Sequence, residues 1–374
     1  MKKKVKNLIV GCGLSGVTIA NKIATELDEE VLIIDARNHI AGNCYDFRDN
    51  NQICIHKYGA HIFHTDNKVV WDYVNQFAEW YPYMHEVIGI IDGTEVPIPF
   101  NLNSLYIVFP HSLAGRLEEK LIANFGYNIK VPILKLRESK DTELEFLAEY
   151  IYQKVFLGYT LKQWGLTPEE IDPTVTARVP VYISRDNRYF QNKYQAIPVD
   201  GYSALVEKML SHPKIQVALN TNYQEIKETE YERLIYTGAI DEFFNYKYGE
   251  LPYRSLMFKF VEFKREFYQK RAVVNYPENY DFTRIIEYKH FLHNKSDKTV
   301  VSFEYPLNFE FGKNERYYPI LVKDNIQLYQ KYLQEANKLQ NVYFLGRLGD
   351  YQYFDMDKTI ERALFLYQNL ISHY

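Results

Sequence analysis

Cysteine is scarce. Cys12, Cys44 and Cys54 are the only three in 374 residues, too few for a disulfide framework, which points to a reducing, cytoplasmic compartment. Long apolar runs are missing too. No window reaches the ~18 uncharged apolar residues of a membrane span. The opening MKKKVKNLIV carries an apolar stretch of only about six residues that runs into glycines without a small-residue cleavage site, so it reads as a strand. Charge of one sign is not in excess: the net charge is −4 and the pI near 6.2, which gives no bulk attraction to nucleic acid or to an acidic membrane surface. Internal repeats and low-complexity linkers are absent, so the lobes of the chain are expected to pack together rather than hang on tethers. Residue spacing shows no Ser-His-Asp arrangement, no metal-ligand cluster and no paired-carboxylate acid/base signature.

What is abundant is aromatic surface. Thirty-four Tyr, 23 Phe and three Trp make up 16% of the chain. A phenol offers a flat apolar face and a hydroxyl that donates to phosphate or sugar oxygens; most of these rings are expected in packing and a minority at a ligand. The length exceeds what one hydrophobic core usually serves, so two or more packed units are expected.

The clearest local signal is VKNLIVGCGLSGVTIANKIA. Val5 to Val10 read as a strand, Gly11-Cys12-Gly13-Leu14-Ser15-Gly16 supply G-x-G-x-x-G, and Val17, Ile19, Ala20, Ile23, Ala24 and Leu27 fall on one helical stripe. Gly11 permits the tight turn, Gly13 lets a pyrophosphate approach the backbone, and Gly16 lets the helix pack close to the strand while its N-terminus points free N–H groups at phosphate. A second strand, Val31 to Ile34, ends at Asp35, 19 residues after Gly16, where a carboxylate takes a ribose hydroxyl. Two later stretches favour a flavin over a nicotinamide: ERLIYTGAID (Glu232 to Asp241), a strand ending of the kind that returns beside the first strand in FAD-binding folds, and NVYFLGRLGDYQYFDMD (Asn341 to Asp357) before a terminal amphipathic helix.

Strands near residues 5, 31, 234 and 342 then build one sheet from distant parts of the chain. The expected fold is α/β: a discontinuous Rossmann-like FAD-binding domain (1–80, 196–245 and 335–374), a helical insertion (101–175) carrying LAGRLEEKLIANF and ELEFLAEYIYQKVFLGY, and an antiparallel β-sheet domain (81–100, 176–195 and 246–334) carrying RSLMFKFVEF, AVVNY and TVVSFEY.

Several blocks carry a resemblance. HKYGAHIFHT (His56 to Thr65), GYTLKQWG (Gly158 to Gly165), RVPV (Arg178 to Val181), NRYFQNKYQAIPVDGY (Asn187 to Tyr202), YTGAIDEFF (Tyr236 to Phe244), YRSL (Tyr253 to Leu256), TRIIEYKHF (Thr283 to Phe291), RYYP (Arg316 to Pro319) and GRLGDYQYFDMD (Gly346 to Asp357) together resemble the bacterial UDP-galactopyranose mutase family, from the first strand to the last helix. The resemblance implies an FAD-dependent isomerase of cell-surface polysaccharide biosynthesis, active with reduced flavin. It interconverts UDP-galactopyranose and UDP-galactofuranose by attack of flavin N5 on the anomeric carbon, with release and return of the nucleoside diphosphate. It also implies an electron donor for the flavin and a homodimer.

Residue by residue, the resemblance places Arg178 and Arg284 at the substrate diphosphate, where fixed guanidinium charge helps a diphosphate depart, and His64 beside the flavin. It places Tyr159 and Trp164 against the nucleotide base, the hydroxyls of Tyr189, Tyr318 and Tyr353 at the diphosphate, and Asn275 on the substrate side. Tyr318 is preferred to Tyr317, which a strand would point the other way. On the cofactor side it places Gly11, Gly13, Leu14, Ser15, Gly16, Asp35, Ala36, Asn43, His61, Ile62, Arg347, Asp355 and Met356, with Arg347 offsetting charge on reduced flavin. On pattern alone, Arg178 before Val-Pro-Val and Arg284 before Ile-Ile-Glu are equally exposed strand residues, and His61 and His64 equally buried structural histidines.

The chain departs from the family pattern at three places. Tyr83-Met84-His85-Glu86 stands where the family has Thr-Asn-Ser, putting His85 in place of a small amide near the sugar. Tyr288 replaces a histidine, and Phe303 an arginine. These are either packing changes or marks of a related substrate, since few polar groups set specificity. A mutase for an N-acetylated, deoxy or heptose nucleotide sugar is therefore one alternative; an FAD oxidoreductase, which needs neither the two arginines nor GYTLKQWG, is the other.

Overall fold

The structure is a computed structural model that describes residues 5–173, 177, 179–226 and 228–371. Its first sheet has five strands in the order Ile215–Ala218, Val31–Ile34, Val5–Val10, Tyr231–Tyr236, Val342–Phe344, every pairing parallel. The apolar runs are continuous because a parallel sheet is covered on both faces. Helices Leu14–Glu26 and Met356–Leu366, from opposite ends of the chain, bury Val17, Ile23, Ile360 and Leu364 in one core beneath it. The four expected strands are all present. Ile215–Ala218 is an added edge strand with no position fully buried, and so lacks the buried apolar run of the central strands.

A helical unit follows. Asn101 caps Leu102–Val108 through a reciprocal box with Ser104, and Asp141 caps Thr142–Ile151 by accepting from Glu143 N and Leu144 N. Helix His111–Phe125 contributes Leu117 and Leu121 to the same core as Leu144, Leu147 and Ile151. A π-helical turn, Tyr152–Leu157, then leads directly into helix Gly158–Trp164. Wide turns of this kind re-aim the following residues and recur at functional sites.

The second large sheet has seven strands: Tyr318–Pro319, Tyr253–Phe263, Thr299–Asn308, Arg284–Glu287, Val273–Asn275, Val87–Ile91 and Thr94–Ile98. It differs from the antiparallel expectation at one place, where Val273–Asn275 runs parallel to Val87–Ile91. The hairpin at 87–98 leaves the sheet for the helical unit and the chain returns only at 253, a crossover long enough for parallel pairing. The strand expected within 176–195 also pairs elsewhere. Val181–Ile183 joins Ile129–Val131 of the helical unit and is buried at every position, so it needs cover that the edge of the large sheet does not offer. Tyr194–Pro198 lies between Phe63–Thr65 and Trp80–Pro82 in a small sheet between the lobes. No helix among the described residues is long and apolar enough to cross a membrane.

Candidate functional site

Two cavities meet between the lobes. The first, about 570 Å³, opens over the glycine turn and is walled by Gly11, Gly13, Leu14, Ser15, Asp35 and Ala36 together with Thr237, Gly346 and Arg316. The second, about 450 Å³, lies between the large sheet and the helical unit. Asn43, His61, Tyr317, Arg347 and Met356 line both and form the junction.

The first cavity is shaped by backbone close to backbone. Gly11 sits at φ +105°, and a Cβ there would lie 1.9 Å from Thr237 Oγ1; a Cβ on Gly16 would lie 2.0 Å from the Gly11 carbonyl oxygen. Gly16 does not reach the wall. It lets helix Leu14–Glu26 start directly on the turn, and that helix has no side-chain cap, so its first N–H groups point at the space above. Asp35 accepts from Cys12 N at 2.8 Å and Arg37 N at 2.9 Å and stays on the wall. Arg37, which the sequence patterns did not single out, donates to Asn43 Oδ1 and Glu315 Oε2 and stacks on Tyr58, fencing one side. All three cysteines are buried, and burial pushes the Cys12 and Cys44 thiols up to about 12, which keeps these two protonated.

At the junction, His61 Nδ1 contacts Gly59 O at 2.8 Å. A carbonyl only accepts, so Nδ1 carries the proton and Nε2 a lone pair. Burial, reinforced by His56, pushes its pKa down to about 3. Arg347 is fixed by the carbonyls of Tyr317 and Phe354 and lies over the rings of Tyr318 and Tyr353. Asp355 precedes helix Met356–Leu366 and, like Ile62, lines the second cavity.

The second cavity joins the Arg284 guanidinium to a set of phenols, with Arg347 at its junction end. Arg284 starts its strand opposite Glu304 in register, and its Nε donates to Glu304 Oε2 at 2.7 Å. Glu304 is fully buried and also receives Thr283 Oγ1. Burial opposes the charge on Arg284, but Glu304 outweighs it and holds the pKa well above the usual arginine value. Around it stand Tyr159, Tyr189, Tyr318 and Tyr353. Burial raises the phenols of Tyr159 and Tyr318, which keeps them neutral donors. Trp164, Tyr318 and Tyr353 form an aromatic trio with centroids 5.0 to 5.8 Å apart. Tyr317 packs against Tyr58 and Phe258 and stands at the junction rather than among these phenols.

His64 stacks on Phe190 at 3.6 Å, with Nδ1 3.0 Å from Asn192 Oδ1. His85 sits on the wall, 4% exposed, beside Tyr189 and Phe190. Burial first, then Arg284 and His64, push its pKa down to about 3, so it is a neutral imidazole. His85 Nδ1, Gln163 Oε1 and Asn275 Oδ1 are buried on this wall without a hydrogen-bond partner among the described residues. Buried polar atoms are seldom left so, and these fit a polar ligand. Arg178 lies outside the described residues; its neighbour Val179 lines the cavity. Among the described residues of the three departures, His85 is the one that lines either of these two cavities. Tyr288 is buried and bonded to Ser302, and Phe303 packs against Phe282. Glu304, Gln163, Phe190, Thr237 and Arg37 are contributors that motif reading missed. For Glu304 the available signal was a lone carboxylate inside TVVSFEY facing the lone guanidinium of TRIIE.

Comparison with known proteins agrees with this architecture. Residues 154–353 match the family model "UDP-galactopyranose mutase", and residues 9–77 match "NAD(P)-binding Rossmann-like domain". A probable UDP-galactopyranose mutase of Klebsiella pneumoniae is 38% identical over 96% of this chain and 92% of its own. A dTDP-fucopyranose mutase of Escherichia coli is 37% identical over 96% of both, and a UDP-galactopyranose mutase of Mycoplasma genitalium is 37% identical over 98% and 94%. Among solved structures, a reduced UDP-galactopyranose mutase superposes with a TM-score of 0.74 at 13% identity, covering 99% of this chain and 94% of that one. A putative protoporphyrinogen oxidase from Exiguobacterium reaches 0.66 at 10%, covering all of both chains; these two likenesses speak for the fold. With a model covering more than half of its length and relatives matched nearly end to end, the chain belongs to the UDP-galactopyranose mutase family.

Proposed function

We propose that the protein binds FAD across the two cavities and, with the flavin reduced by an external electron donor, interconverts UDP-galactopyranose and UDP-galactofuranose, working as a homodimer. The supporting observation is the joined cleft itself: a glycine-turn cavity shaped for a dinucleotide opens at His61 and Arg347 into a cavity where Arg284 is ringed by phenols and a tryptophan. The uncapped helix start and the close backbone approaches at Gly11 fit a cofactor pyrophosphate. Bound there in reduced form, FAD supplies a nucleophilic nitrogen for the anomeric carbon.

The chain's own residues supply position and charge. Arg284, held by Glu304, meets the growing negative charge on the departing diphosphate, and the neutral hydroxyls of Tyr159, Tyr189, Tyr318 and Tyr353 add donors without further charge. Arg178 is proposed as the second guanidinium there. Tyr159 and Trp164 offer faces to the base, and Asn275 and His85 offer polar atoms to the substrate. His61, with Nε2 as acceptor, His64 and Arg347 would border the flavin ring; Asn43, Ile62, Asp355 and Met356 would complete its surroundings, and Asp35 would take a ribose hydroxyl.

A second substrate has specific support. His85 replaces an amide on the sugar side, and a dTDP-fucopyranose mutase is 37% identical, so a dTDP-linked 6-deoxy sugar is the alternative. The test is chromatographic conversion of UDP-galactofuranose and of dTDP-fucofuranose by anaerobic, dithionite-reduced protein. Conversion of the first at the higher kcat/KM is expected; a preference for the second reassigns the substrate, and turnover of neither refutes the mutase reading.

A further inference from the structure

The two walls of the second cavity are tied together by a cation that touches no carboxylate. Lys162 lies on the outer side of helix Gly158–Trp164, whose other residues Tyr159, Gln163 and Trp164 line the cavity. Its Nζ donates to the carbonyls of Tyr276, Glu278 (2.8 Å) and Phe282 (3.2 Å). These carbonyls belong to the loop joining Val273–Asn275 to Arg284–Glu287, and the two paired residues at its mouth, Asn275 and Arg284, both line the cavity. Two further contacts serve the same docking. A Cβ on Gly158 would lie 2.3 Å from Pro277 O, so helix and loop meet backbone to backbone. At the other end, buried Arg254 donates to the carbonyls of Lys162 and Gln163, satisfying the helix's last acceptors from the large sheet.

The charges around Lys162 are few. Asp281 acts on it only through space, while the Glu278 carboxylate is turned to Lys154 and Asp92 N. Carbonyl dipoles therefore carry the contact, and three charge-assisted bonds from one side chain hold three points of an otherwise irregular loop.

We propose that Lys162 is a positioning residue that fixes the spacing between the aromatic wall on helix Gly158–Trp164 and the Asn275–Arg284 wall, and so sets affinity for the nucleotide half of the substrate. It rests on the nucleotide-sugar reading for its ligand. Arg284 is anchored separately by Glu304, so loss of Lys162 should spare the chemical step.

The test uses flavin-loaded protein with UDP and dTDP as probes. For Lys162→Met, Kd for the better-bound nucleotide and KM for its sugar conjugate should rise about tenfold with kcat within about twofold, and Lys162→Arg should recover most of the affinity. Amide exchange at 276–283 should quicken in Lys162→Met while the flavin spectrum stays unchanged. Quickened exchange with unaltered Kd, or a fall in kcat at unchanged KM, would overturn the inference. Wild-type protein that binds neither nucleotide would instead overturn the nucleotide-sugar reading, and amide exchange would still report whether Lys162 holds the loop.

Discussion

Arg284 is positioned by the protein's own groups. Its Nε is committed to a carboxylate with no solvent exposure, and breaking a buried pair from one side costs more than the pair is worth. Glu304→Gln keeps the shape and removes the charge. We expect kcat/KM to fall about 10- to 100-fold with flavin retained, read in the anaerobic conversion assay; unchanged kinetics would show that Arg284 needs no anchor. Arg284→Ala should abolish turnover with the flavin spectrum intact, and retained activity would misplace the anion site. On the cavity wall, His85→Asn puts a small amide in place of the imidazole and, on the proposed reading, should shift the kcat/KM ratio between UDP-galactofuranose and dTDP-fucofuranose by about tenfold, the scale on which one polar group discriminates. Residues inside long blocks, such as Arg284 in TRIIEYKHF and Trp164 in GYTLKQWG, were legible in the sequence. Glu304 and Lys162 were not: a carboxylate within a strand and a lysine within GYTLKQWG are visible, but the partner each one holds, through strand register or through a loop over a hundred positions away, is not.

Elements were legible where burial imposes a long period. The first helix and its glycine turn follow from sequence alone, and the structure adds the distance that makes Gly16 obligatory: its missing Cβ would sit 2.0 Å from a backbone oxygen. A backbone atom has no rotamer with which to yield, so Gly16→Ala must lift helix Leu14–Glu26 off the turn and move its free N–H groups. Purified Gly16→Ala protein should lose most of its flavin, with absorbance per protein falling at least about fivefold; full flavin content would mean the helix start contributes nothing to holding it. Short strands were the illegible part. Val181–Ile183 and Ile129–Val131 have three residues each, too few for periodicity to separate from a loop, and they find each other only because the helical unit folds around them.

At the scale of the molecule, the cleft exists because three separated segments return to one sheet, and closing it leaves histidines in dry surroundings. Burial pushes His56, His61 and His85 down to about 3 from an ordinary 6.5. The folded protein therefore holds these rings neutral, while the unfolded chain takes up their protons as pH falls below 6.5. The stability they support is present above the unfolded value and is lost on acidification towards 3, with each ring contributing at most about 1.4 kcal/mol per pH unit. The carboxyls of Asp241, Asp350 and Asp357, raised by burial, act in the opposite sense above their ordinary range, because the folded protein takes up their protons first, so the histidine contribution across the window from pH 6.5 to 5 is read as a difference between wild type and a histidine variant. Urea unfolding of the flavin-bound protein should give a stability that falls steadily across that window. His85→Asn, which removes one of these rings, should make the slope shallower by up to about 1.4 kcal/mol per pH unit. A slope identical in wild type and variant would mean that His85 titrates as it does in water.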